Sequence, residues 1–101
     1  KWWLLEPHPE LISNYAARFC AAIPGSEYVA YLRWGGGLDL DLREASESQE
    51  FRYAWLDLTQ GKEYPGGSVR GGAIRQFNAP EPYPTYPHFK DWLLHVVRSA
   101  Q

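Results

Sequence analysis

The chain has 101 residues and a formal charge of −2, which suits one domain with a core of two packed layers and excludes a catalytic barrel. Its basic residues are scattered rather than clustered, against a nucleic-acid partner or attraction to an anionic membrane, and no apolar run approaches the ~18–20 residues that span a bilayer. The single cysteine, Cys20, excludes an intrachain disulfide and a cysteine-based metal site, and its setting in AARFCAAI is that of a buried small hydrophobe.

Lys1-Trp2-Trp3-Leu4-Leu5 opens the chain with a hydrophobic cluster, and the sequence contains no methionine. Both features read as a piece of a longer polypeptide. Residues 1–15 are expected to be an interdomain connector, stiffened by Pro7 and Pro9, because a residue before proline is pushed out of the α region. Trp2, Trp3, Leu4 and Leu5 form its docking strip, since no strand pattern buries four consecutive large apolar residues inside one sandwich. Residues 16–101 form the β domain.

Strands follow at short intervals. AARFCAAI, 16–23, reads as the first arm of a hairpin closed by Pro24-Gly25. EYVAYL continues to about residue 33 with the β-branched and aromatic residues that suit a pleated surface. LDLDL, 38–42, alternates apolar and acidic residues with period 2. The Trp34-Gly35-Gly36-Gly37 turn between these two runs predicts a second hairpin. REASESQE, 43–50, reads as a surface loop. FRYAWLD, 51–57, puts Phe51, Tyr53 and Trp55 on one face, and Gly61 takes the left-handed position of the turn after it. Pro65-Gly66-Gly67 and Gly71-Gly72 read as breaks around a short strand near 68–70. AIRQF, 73–77, is the next strand. NAPEPYPTYPH, 78–88, is a stiff irregular loop, because proline cannot donate to a ladder. FKDWLLHVV, 89–97, is apolar on both faces and so central in a sheet. The expected fold is an all-β antiparallel sandwich of about seven strands. Its core is expected to draw on Tyr28 or Val29, Leu32, Leu40, Phe51 or Tyr53, Trp55, Leu56, Trp92 and Leu94.

WWLLEPHPELI, AARFCAAIPGSEYVAYL with its Gly-rich turn, LDLDL, FRYAWLDLTQGK and FKDWLLHVV occur in an order that resembles one known module. It is the C-terminal β-sandwich that follows the catalytic barrel in bacterial glycoside-hydrolase-like proteins, often labelled a collagen-binding domain of a collagenase. The chain departs from that pattern at Leu58, where a proline is common, at Gln60, near a common turn threonine, and in its longer 78–88 loop. The resemblance implies a non-catalytic accessory domain of a secreted or periplasmic glycoside hydrolase, packed against the barrel of the same polypeptide. It implies no cofactor. The alternative is a binding module for carbohydrate or a collagen-like matrix protein.

No catalytic constellation emerges from the residues themselves. Asp39 and Asp41 lie two apart on one strand, ~6–7 Å between carboxylates, a spacing that glycosidase acid/base pairs also use. Their alternation makes them the polar face of a strand, with nothing to exclude water from either. His8, His88 and His95 lack zinc-ligand spacing, and the glycine pairs open no helix that could cradle a phosphate. For a ligand, Trp34 at the turn and Tyr83 and Tyr86 in the Pro-rich loop are the candidate stacking residues, because loops on a rigid sandwich are where binding residues sit.

Overall fold

Alternation of large apolar with polar or small side chains dictates strands that bury one face, and two such sheets close on each other. The structure, a computed structural model, describes residues 4–13, 17–32, 37–80 and 91–99. Its strands are β1 (Glu6–Pro7), β2 (Ile12–Ser13), β3 (Ala17–Ile23), β4 (Glu27–Leu32), β5 (Gly37–Asp41), β6 (Glu50–Asp57), β7 (Lys62–Arg70), β8 (Ile74–Asn78) and β9 (Trp92–Arg98). They form a six-stranded sheet in the order β1-β3-β4-β9-β6-β7 and a three-stranded sheet in the order β2-β5-β8. All pairings are antiparallel. The all-β antiparallel sandwich is therefore as expected, and β3 to β9 correspond to the seven strands read from the sequence.

The β3–β4 hairpin forms as anticipated. Gly25 adopts φ +85°, and its N–H donates to the Tyr28 hydroxyl at 2.7 Å. The β6–β7 turn also matches, with Gly61 at φ +69°. Asp57, wholly buried, caps this turn by accepting from the Thr59 and Gln60 N–H groups at 2.9 and 3.2 Å. Strand β9 lies between β4 and β6, its residues 92–97 pairing on both sides, which accounts for its two-faced apolarity.

Four expectations need correction. First, β4 and β5 do not form a hairpin. Strand β3 holds one edge of β4 and β9 the other, so β5 joins the second sheet with β2 and β8. Each strand has one buried face, and that pattern is satisfied equally by one sheet or by two facing ones. Second, β7 runs unbroken through Pro65-Gly66-Gly67, which form a bulge opposite Tyr53 and Ala54. Because β7 is an edge strand, a proline is tolerated there. Third, no strand was expected before residue 16, yet two form within residues 6–13. Strand β1 pairs with β3 and β2 pairs with β5, joined by a 3₁₀ turn at Pro9–Leu11. Fourth, Leu56 is not in the core, because the alternation that buries Trp55 and Asp57 turns it outward.

The core lies between the sheets and contains Tyr28, Leu32, Phe51, Trp55, Trp92 and Leu94 from the large sheet and Leu38, Leu40 and Phe77 from the small one. Its aromatic rings meet edge to face. Tyr28 meets Phe51 at 5.9 Å, Trp55 meets Trp92 at 6.3 Å, and Tyr64 meets Trp92 at 5.4 Å between centroids. Tyr53 bridges the sheets by meeting Phe77 at 4.9 Å. Such pairs add ~0.5–1.5 kcal/mol beyond area burial.

Candidate functional site

The strands that send Tyr28, Trp55 and Trp92 into the core must send their alternate residues outward. On the large sheet these are Glu27, Val29 and Tyr31 of β4, Leu93, His95 and Val97 of β9, and Arg52, Ala54 and Leu56 of β6. Six of them, Glu27, Val29, Ala54, Leu56, Leu93 and His95, line a groove of about 360 Å³ together with Leu5, Trp55 and Glu63. In its lining His95 Nε2 and Glu27 Oε2 lie 2.7 Å apart, a pair that links β9 diagonally to β4. A neighbouring cleft of about 530 Å³ continues over β6 and β7, where Arg52, Glu50 and Ser68 border the Gly66-Gly67 bulge. Tyr31 donates its hydroxyl to Asp91 at 2.8 Å, so its polar end is held at the sheet margin.

The carboxylates weighed from the sequence sit elsewhere. Asp39 and Asp41 lie on β5, whose Leu38 and Leu40 face the core. Arg43 clamps Asp41 through Nη2 to Oδ2 at 2.8 Å and Nε to Oδ1 at 3.0 Å, and donates its backbone N–H at 2.9 Å. These bonds hold the Asp41 carboxyl below the usual carboxylate range. Those bonds favour the charged form, in which the carboxylate accepts hydrogen bonds. His8 Nδ1 lies 2.8 Å from Glu10, likewise at the surface. Cys20 is wholly buried, and loss of solvation pushes its thiol up to about 11, as an inert core residue. Among the described residues, no cluster of three or more His, Cys, Asp or Glu could hold a metal.

Of the docking strip, Leu4 is exposed and Leu5 half-buried against the groove. Trp2 and Trp3, and the candidate ligand residues Trp34, Tyr83 and Tyr86, lie outside the described residues. The outward face of the large sheet went unread as a site, although the doublets Leu93-Leu94 and Val96-Val97 carried the signal for it.

With the two sheets and their outward faces defined, the fold finds its counterpart in glycoside hydrolases. One structure of a glycoside hydrolase superposes with a TM-score of 0.76 at 17% identity, covering 98% of this chain and 22% of that one. A glycoside hydrolase family 5 structure from Bacteroides vulgatus ATCC 8482 gives 0.73 at 19% identity, covering 96% of this chain and 21% of that one. This chain thus spans about a fifth of the length of either hydrolase. At such identity the likeness is one of fold. No protein-family model matches the sequence, and no curated protein is significantly similar to it.

Proposed function

We propose that this chain is a non-catalytic, C-terminal accessory domain of a glycoside hydrolase, packed against the catalytic barrel of the same polypeptide and supporting it. The observation that carries this reading is the match of nearly the whole sandwich to about a fifth of two glycoside hydrolases. The engagement of Asp41 by Arg43 agrees with it, since that carboxylate serves a surface ion pair. A secreted or periplasmic setting goes with the same reading.

The test is an activity screen of the 101-residue chain, beside the polypeptide encoded by its whole reading frame, on aryl glycosides and polysaccharides. Hydrolysis by the longer polypeptide alone is the expected result. Turnover by the 101-residue chain that disappears in Asp39→Asn or Asp41→Asn would overturn the accessory role. Amide shifts confined to Trp34, Tyr83 and Tyr86 on titration with an oligosaccharide or a collagen peptide would replace it with a binding module.

A further inference from the structure

The two outward faces of the sandwich differ in chemistry. On the small sheet the residues alternating with buried Leu38, Leu40 and Phe77 are mostly polar, with Asp39 and Asp41 on β5 and Gln76 and Asn78 on β8. That is the ordinary arrangement for an antiparallel sheet with one face in water. On the large sheet the corresponding positions include Val29, Tyr31, Ala54, Leu56, Leu93 and Val97, each half-buried rather than covered, interrupted by Arg52 and by the hydrogen-bonded Glu27–His95 pair. Beside them Phe19 of β3 is 45% exposed. A largely apolar surface of this extent, its polar residues confined to Arg52 and the paired Glu27 and His95, marks an interaction site.

We propose that the outward face of the six-stranded sheet, centred on Leu56 and Leu93, is the surface that docks against the catalytic part of the same polypeptide. The proposal rests on the accessory-domain reading above and adds the face through which that role is exerted. Two observations select this occupant. In both hydrolases of like fold the sandwich is only about a fifth of the chain, so a large body of the same polypeptide accompanies it. Leu5 lines the groove and Leu4 lies at the margin of the same face, so a body joined ahead of them is set beside this sheet without a long tether. Interfaces between domains of one chain typically bury ~600–1,500 Å², an area that one face of a six-stranded sheet can supply. Apart from Trp55, whose indole is buried in the core, the apolar lining of the groove is aliphatic, which suits packing of another domain better than stacking of a sugar ring.

Hydroxyl-radical footprinting of the 101-residue chain and of the longer polypeptide tests the assignment. Labelling of Leu56 and Leu93 should fall at least fivefold in the longer polypeptide, while Ile74 on the small sheet labels equally in both. Leu56→Lys and, separately, Leu93→Lys should leave the thermal midpoint of the 101-residue chain within a few degrees. In the longer polypeptide they should restore Val29 labelling to the level of the shorter chain. If either variant fails to fold, the footprint of the unsubstituted proteins decides. Equal labelling of Leu56 and Leu93 in a longer polypeptide that hydrolyses glycosides would overturn the docking face alone. Absence of that activity would instead remove the accessory-domain reading. Concentration-dependent self-association of the 101-residue chain that protects Leu56 would assign the face to a second copy and overturn the proposal.

Discussion

Gly66 lies against the ring of Tyr53, so closely that a Cβ at this position would collide with Cδ2 and Cε2 of the ring. The bulge in β7 brings its backbone over a side chain that also packs edge-on against Phe77 of the other sheet. Gly66→Ala should therefore push Tyr53 off Phe77 and destabilise the fold by ~1–3 kcal/mol, as overpacking does. Gly61→Ala provides a contrast. Nothing lies within 4 Å of its Cβ position, and its φ of +69° is the only obstacle, so the cost should be ~1–2 kcal/mol from backbone strain. Denaturant midpoints measure both, and only Gly66→Ala should alter the near-ultraviolet aromatic spectrum.

Trp55→Ala and Trp92→Ala should each cost ~3–5 kcal/mol, a large share of the ~5–15 kcal/mol that stabilises a typical domain. Both indoles are buried and meet edge to face, so the double variant should cost less than the sum of the singles. Leu56→Ala, on the outward face, should cost clearly less than either. Chemical unfolding of the four proteins checks the order; an unchanged thermal midpoint in both tryptophan variants would mean that the β6–β9 register is wrong.

Asp57 is an acidic residue placed in the interior, where it caps a turn. Replacing it by alanine leaves the Thr59 and Gln60 N–H groups without their acceptor, at ~1–3 kcal/mol. Asp57→Asn keeps an acceptor oxygen of the same shape and should lose less. Amide exchange at residues 59–61 should quicken in the alanine variant before any global change.

Cys20 makes stability depend on alkaline pH. Its folded pKa, pushed up to about 11 from an ordinary 9.0 by burial, means that the unfolded chain loses the proton first. The thiol's contribution is fully present below pH 9.0 and is lost as pH rises through about 11, at up to ~1.4 kcal/mol per pH unit. Burial raises the Tyr28 phenol in the same direction. Denaturant midpoints across this window should fall less steeply in Cys20→Ala. Alkylation of Cys20 at about pH 9 should be far slower in the folded protein than in denaturant.

Legibility in the sequence tracked locality. The hairpin at Pro24-Gly25, the turn ending at Gly61 and the central place of β9 are all written in adjacent residues, and each formed as read. What adjacent residues do not encode is which sheet a half-buried strand joins, so β4 and β5 were assigned one hairpin and occupy two sheets. The Gly-Gly bulge in β7 was read as a break, because glycine marks both a chain reversal and a close approach of backbone to a side chain. For the site, the outward place of Asp41 follows from its alternation with Leu40 and Leu42, and Arg43 is bonded to it there. The outward apolar face was harder to read, since Leu56 and Leu93 meet only through the β6–β9 pairing of distant segments.

The place of β9 also governs the order in which this chain can fold as it is made. Hairpins β3–β4 and β6–β7 join residues that leave the ribosome close together, but the seam between them is a strand spanning Trp92–Arg98. Until that strand emerges, Tyr28 and Leu32 on one hairpin and Phe51 and Trp55 on the other have no shared sheet beneath them. Closing the six-stranded sheet therefore awaits one late insertion, a slow non-local step during which exposed strand edges invite aggregation. A translational stall anywhere between β7 and β9 would leave both halves without the strand that joins them.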